Sequence, residues 1–228
     1  MTMRTVCLVS AVLFLSLSRA LSAEPDAAFF STASDWNGFY AGVQVGNLRG
    51  ALHQAYAVGD HSRADVSAFF AGLHAGYQRQ VTRNVVAGVE LDGAWLRAEG
   101  RSHFYTRGGF QISPGYVARS RLDWIAALRG RLGYVVDRRM PYLAAGPAIA
   151  DVRFVGMHGN GVFDPGGRKI HVGWTLGGGV DFAVGNRLIL KSEYRYSDFG
   201  RRVFNDGANP SRIGLKTHGL RLGASYRF

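Results

Sequence analysis

Eight times along this chain, apolar side chains recur at every second position over about 9–14 residues, and no other feature constrains the fold as tightly. A period of two belongs to an extended strand whose two faces meet different surroundings. In the first segment, "GFYAGVQVGNL", Phe39, Ala41, Val43 and Val45 share one face, and Gly38, Tyr40, Gly42, Gln44 and Gly46 take the other. The second, "SAFFAGLHAGYQRQ", aligns Phe69, Ala71, Leu73, Ala75 and Tyr77. The third, "NVVAGVELDGAWL", sets Val85, Ala87, Val89, Leu91 and Trp95 against Glu90 and Asp92. The fourth, "RLDWIAALRGRLGYVV", groups Leu122, Trp124, Ala126, Leu128, Leu132 and Tyr134 opposite Arg129 and Arg131.

The fifth segment, "PYLAAGPAIADVRFV", alternates less cleanly: Leu143 and Ile149 fall on the side of Asp151 and Arg153, so Tyr142 and Phe154 are assigned to the apolar face. The sixth, "HVGWTLGGGVDFAV", aligns Val172, Trp174, Leu176, Val180 and Phe182. The seventh, "RLILKSEYRYSDF", opposes Lys191, Glu193 and Arg195 to Leu190, Tyr194 and Tyr196. The eighth, "THGLRLGASYRF", puts Leu220, Leu222, Ala224, Tyr226 and Phe228 opposite Arg221 and Arg227.

The connections alternate in length. Residues 81–83, 137–140 and 185–186 are tight, with turn-forming "TRN", "DRRM" and "GN", whereas residues 49–66, 97–120, 156–170 and 200–216 are long. Strict long–short alternation between amphipathic strands of membrane-crossing length predicts an all-β fold. It is an eight-stranded antiparallel up-and-down transmembrane β-barrel with short periplasmic turns and long outer loops. Aromatic residues on the apolar faces sort to the strand ends. Phe39, Tyr77, Tyr134, Tyr142 and Phe182 gather at the turn side, and Phe69, Trp95, Trp124, Phe154 and Trp174 at the loop side. Two such girdles are what the two membrane–water interfaces favour.

The N-terminus, "MTMRTVCLVSAVLFLSLSRALSA", has Arg4 before an apolar run from Val6 to Leu17 and small residues at Ala20, Ser22 and Ala23. That is the pattern of a cleavable secretory signal over residues 1–23, with an apolar core short for a membrane helix. Residues 24–35 are expected to form a periplasmic leader, and residues 36–228 the barrel domain. The single cysteine, Cys7, falls in the signal, so no disulfide or cysteine-held metal is expected in the mature chain. The formal charge is +11, and cleavage would remove two of the 27 basic residues and none of the 16 acidic ones. A secreted, basic chain of this kind points to anionic lipid surfaces and not to nucleic acid.

Four stretches, "DWNGFYAGVQVG", "RGRLGYVVDRRMPYLAAGPAIA", "LKSEYRYSDFG" and "GLRLGASYRF", resemble the porin-like outer-membrane β-barrel family of alphaproteobacterial surface antigens, itself similar to the OmpA transmembrane domain and to OmpX. The resemblance spans essentially the whole mature chain. It implies the outer membrane of a Gram-negative cell. It also implies a terminal aromatic signal, here Tyr226 and Phe228, read by the barrel-assembly machinery. Members of the family serve as structural surface antigens, porins, haemin-binding proteins and adhesins.

An eight-stranded barrel is just wide enough for side chains to fill. The inward face is expected to carry a network of Glu90, Asp92, Arg129, Arg131, Asp181, Lys191, Glu193, Arg195 and Arg221, with Asp123, Asp151, Arg153 and Arg227 beside it. Paired in this way, the charges would close the interior instead of lining a conduit. Inward glycines at Gly42, Gly72, Gly76, Gly88, Gly177, Gly179, Gly219 and Gly223 would make room for them. No cofactor, metal or catalytic residue is assigned: Glu90 and Asp92 share a face as charges in any polar-lined barrel do, and the histidines show no ligand spacing. His218 with Ser197 and Asp198 is the one grouping of acyl-transfer residue types, and His103 and His158 beside Tyr105 the one grouping suited to haem.

The outer loops are basic, with Arg97, Arg101, Arg107 and Arg119 in one and Arg201, Arg202, Arg212 and Lys216 in another. Such cations suit the phosphates of lipopolysaccharide. The expectation is a monomeric, non-enzymatic structural surface protein of the envelope that displays basic loops. A small-solute porin, or a receptor for a host or haem ligand, is the alternative.

Overall fold

The computed structural model describes residues 35–56, 61–105, 117–157, 163–164, 168–204 and 211–228. Side chains are described for residues 35–51, 67–96, 121–152, 170–200 and 214–228. The strands are β1 (Gly38–Tyr56), β2 (His61–Gln80), β3 (Val85–Tyr105), β4 (Val117–Tyr134), β5 (Arg139–Met157), β6 (Phe163–Asp164), β7 (Arg168–Val184), β8 (Leu188–Phe204) and β9 (Ser211–Arg227). The two-residue β6 pairs only with β5. The eight long strands pair antiparallel with their chain neighbours, and β1 pairs β9 from Tyr40↔Arg227 to Tyr56↔Ser211. The sheet is therefore closed, which leaves no strand edge unpaired in lipid.

Three tight connections share one end of the barrel. In the β2–β3 turn, the amides of Val81 and Thr82 donate to the Val85 carbonyl at 2.7 and 3.3 Å. The β4–β5 turn closes with Val136 and Arg139 exchanging backbone bonds at 2.8 and 2.9 Å, around Asp137 at φ 54°. The β7–β8 turn uses Gly185 at φ 66°, a left-handed conformation that glycine adopts without steric cost.

At the opposite end the bounds expected of the loops are corrected. The eight long strands are 17–21 residues long, not 9–14, and consume much of what reads as loop. β1 continues to Tyr56 and β2 begins at His61, leaving residues 57–60 between them. The ladder persists because backbone pairing needs no apolar face. Beyond the lipid the outward residues turn polar, with Asn47 and Arg49 following Val45 on β1, and the apolar outward face that marks a membrane strand disappears.

Within the wall the side chains alternate. On β1, Tyr40, Gln44 and Leu48 are buried, whereas Phe39, Val43 and Val45 are exposed on the outside. β2, β3 and β7–β9 follow the faces expected from sequence. β5 reverses them: Tyr142, Ala144, Ala148 and Ala150 face inward, and Leu143, Ala145, Pro147 and Ile149 outward. Both faces of β5 are apolar, so its pattern could not choose between them. Leu122 is buried, not lipid-facing, because the β4–β5 register shifts between Leu122 and Trp124 and exchanges the faces of β4 there.

The barrel interior is layered. At the turn side Trp36, Val86, Val135, Met140, Ala183 and Ile189 form an apolar layer, with Trp36 fully buried just before β1. The segment holding Trp36 is tied down by Asn37, whose side-chain oxygen accepts from the Gln80 amide at 2.7 Å. Farther along the strands, a larger apolar layer includes Leu48, Phe70, Leu96, Leu122, Ile125, Phe199 and Leu215. The charged residues lie between the two.

Candidate functional site

Cross-strand register places the ionic layer. Glu90 on β3 stands opposite Arg129 on β4, Asp181 on β7 opposite Lys191 on β8, and Glu193 on β8 opposite Arg221 on β9. Glycines face the longest side chains, with Gly88 opposite Arg131, Gly177 and Gly219 flanking Arg195, and Gly223 beside Lys191. A side chain at Gly88 or Gly219 would run into the backbone of the neighbouring strand, at Gln78 and at Asn47, and one at Gly177 would crowd the Glu193 carboxylate.

Arg129 is the hub, 1% exposed. Its Nη2 donates to Glu90 Oε1, its Nη1 lies 3.0 Å from both Glu193 oxygens, and its Nε is 3.2 Å from Asp92 Oδ2. Arg131 Nη2 donates to Asp181 Oδ2 at 2.7 Å, and its Nη1 reaches Glu90 Oε2 at 3.2 Å. Lys191 Nζ donates to the same Glu90 oxygen. Arg195 joins Glu193 Oε1 and Asp92 Oδ1, each at 2.7 Å, and Arg221 Nη1 lies 3.5 Å from Asp92 Oδ1. All nine residues singled out from sequence for the interior are thus in one connected cluster. Each carboxylate has a cation within ion-pair distance, which is the condition for burying such charges without a large penalty.

Two tyrosines complete the cluster. Tyr40 donates to Glu90 Oε2 at 2.9 Å and accepts from Arg131 Nη1 at 2.7 Å. Tyr142 donates to Glu193 Oε2 at 2.8 Å, and the Arg131 guanidinium lies 4.0 Å over its ring. Assignment of Tyr142 to the turn-side girdle is therefore corrected: β5 turns it inward, where its hydroxyl meets a carboxylate. Tyr40 was legible from its place among the inward residues of β1. His74, whose Nε2 is 2.6 Å from Ser225 Oγ, is a further buried polar contact at this level.

Other residues near the network sit elsewhere. Asp123 is partly exposed and pairs locally with Arg121 at 2.8 Å. Arg227 donates to the Asn186 carbonyl at the turn side. Asp151 is buried on the β5 face opposite Tyr142 and Ala144. The Arg153 side chain and the loop residues Arg97, Arg101, Arg107, Arg119, Arg201, Arg202 and Arg212 lie outside the described side chains, as do His53, His61, His103, Tyr105 and His158. Ser197 is buried and donates to Thr175 Oγ1 at 3.0 Å, whereas His218 is exposed on the outer face, stacked with Tyr194. The wall separates them, so the acyl-transfer grouping is not assembled.

On the outside, Phe39 and Tyr77 are cross-strand partners with ring centroids 4.8 Å apart. Tyr134, Tyr226 and Phe228 are exposed near the same end, Phe182 half so, and the Tyr226 and Phe228 rings meet edge-on at 5.3 Å. At the other side Trp95 stands opposite Trp124, and Trp174 packs against Tyr196 at 5.6 Å, with Phe69 exposed. Phe154 lies outside the described side chains.

The family model described as "Outer membrane protein beta-barrel domain" matches residues 8–228. The 31 kDa outer-membrane immunogenic protein of Brucella melitensis is 31% identical over 224 residues, 90% of this chain and 88% of that protein. The 22 kDa outer membrane protein of Rhizobium leguminosarum bv. viciae is 28% identical over 197 residues, 86% of this chain and 80% of that one. Among solved structures, the outer membrane protein OprG from Pseudomonas aeruginosa superposes with a TM-score of 0.56 at 12% identity, covering 87% of this chain and 99% of that chain.

Proposed function

Because the chain belongs to the outer membrane protein β-barrel domain family, and so to the outer membrane, we propose that it is a non-enzymatic structural surface protein whose barrel is closed to solutes. The observation that carries this reading is the ionic layer held between two apolar ones. A hydrated ion moving along the axis would have to break the pairs around Arg129 and then cross Phe70, Leu96 and Phe199 on the outer side or Trp36 and Met140 on the inner. Each step removes water from a charge without replacing it. In this role the rigid cylinder stabilises the envelope as a monomer and carries its basic outer segments toward the phosphates of lipopolysaccharide. Tyr226 and Phe228 serve the barrel-assembly machinery as the terminal aromatic signal.

Current across planar lipid bilayers containing the purified protein tests the closed barrel. The expected record is flat at moderate voltage. Stable, reproducible unitary steps would replace this reading with that of a small-solute porin.

A further inference from the structure

The turn-side rim carries a charge pattern that neither the closed interior nor the outer segments explain. Six arginines lie on it: Arg79 at the end of β2, Arg83 in the next turn, Arg138 between β4 and β5, Arg139 at the start of β5, Arg187 between β7 and β8, and Arg227 at the end of β9. Backbone bonds join these segments into a ring. The Val135 amide donates to the Asn84 carbonyl at 2.6 Å, Ala183 to Arg138 at 2.9 Å, Arg227 to Arg187 at 2.8 Å, and Phe228 to Phe39 at 3.0 Å. Among the described residues, the acidic side chains on this rim are Asp35 and Asp137, and Asp35 already accepts two bonds from Asn37. No lysine lies there among the described residues.

We propose that this arginine collar binds the phosphates of anionic phospholipids in the periplasmic leaflet. Depth argues for a lipid. Arg79 follows Tyr77 on the same outward face, and Arg187 Nη1 donates to the Tyr226 hydroxyl at 2.7 Å with its guanidinium 5.9 Å over the ring. Girdle aromatics sit at headgroup level, so guanidinium groups tethered to them reach the phosphates. Chemistry argues for phosphate: the guanidinium fork pairs with it in bidentate fashion, whereas lysine would offer a point charge. The surplus of cations over Asp35 and Asp137 argues for a lipid of net negative charge, because a zwitterionic headgroup would leave that surplus uncompensated.

The test uses the full chain, folded in mixed micelles with equal amounts of phosphatidylglycerol and phosphatidylcholine, and counts retained lipids by native mass spectrometry. Wild type should retain phosphatidylglycerol over phosphatidylcholine by about fivefold or more, the factor expected from even one surface cation. The variant Arg79→Gln/Arg83→Gln/Arg139→Gln/Arg187→Gln should lose that preference while keeping the gel shift of a folded barrel. If it does not fold, the double variant Arg79→Gln/Arg187→Gln should reduce the preference. Arg49→Gln/Lys216→Gln, on the far side of the barrel, should leave it intact. Equal retention of the two lipids by wild type would overturn the proposal, as would an unchanged preference in the folded collar variants. So would loss of the preference in the Arg49/Lys216 variant. Co-sedimentation with cell-wall glycan that depends on the collar, without any lipid preference, would reassign the rim to the wall.

Discussion

Arg129 shows what a single residue does in this interior. One guanidinium lies within ion-pair distance of three carboxylates, from Glu90, Asp92 and Glu193. Replacing it with methionine keeps much of the volume and leaves those carboxylates to share the remaining cations. Removing one partner of a buried pair strands the other, at a cost of about 3–5 kcal/mol. The pair of exposed Lys216 and half-buried Asp198, 3.4 Å apart, is open to solvent on one side, and its loss should cost less than ~1 kcal/mol. Urea unfolding of the detergent-folded protein should therefore show a large fall in midpoint for Arg129→Met and a small one for Lys216→Ala. Equal midpoints would mean that the ionic layer adds nothing to stability. That the nine charged residues of the cluster would be inward was readable from their parity on β3, β4 and β7–β9, although parity failed on β5 and at the start of β4. Their pairing was not, because it depends on the stagger between strands that alternation along one strand does not encode.

At the scale of elements, the seam between β1 and β9 decides whether the sheet is a barrel. A Cβ added at Gly42 would overlap the Ala224 carbonyl oxygen and lie 2.7 Å from Ser225 Cα, both backbone atoms of β9. At Gly93 the same atom would meet nothing within 4 Å. Gly42→Val should thus abolish the unboiled gel shift, and Gly93→Ala should preserve it. Phe228 marks the same seam differently: its side chain is exposed, so Phe228→Ala should still refold in detergent while assembling poorly in cells. Normal assembly of that variant in cells would remove the aromatic signal from the proposal. The seam's strands were legible because their faces differ sharply, as Val43 and Val45 against Gln44 show. β5 was not, since Ala144 and Ala148 on one side resemble Ala145 and Pro147 on the other, and Asp151 and Arg153 share the parity of Leu143 and Ile149. The register shift at Leu122 was equally hidden, because a bulge inserts one residue without changing composition.

For the whole molecule, the decisive comparison is between the length of the wall and the height of its apolar belt. On β1 the outward residues are apolar from Phe39 to Val45 and give way to Asn47 and Arg49; on β2 they run from Tyr77 to Phe69 and end at Ser67. The stretch on β2, 69–77, matches the 9–11 residues a membrane strand needs, and the one on β1, 39–45, is slightly shorter. β1 nevertheless spans 19 residues, which at about 3.3 Å each is roughly 60 Å of strand against an apolar band about 25 Å tall. Even with the tilt of a barrel strand, the loop-side wall must stand in water beyond the membrane surface. Its pairing is continuous there, from Gly50↔Thr217 and Gly50↔Val66 to Ala55↔Arg212 and Ala55↔His61. A ladder of that kind protects amides as lipid does, by holding them in hydrogen bonds that must open before exchange. Hydrogen exchange on the protein in lipid discs should therefore find amides of residues 50–55 on β1 exchanging orders of magnitude more slowly than an unstructured loop. Exchange at the free-peptide rate immediately beyond Arg49 would mean that the wall ends at the membrane surface, as the alternation alone had suggested.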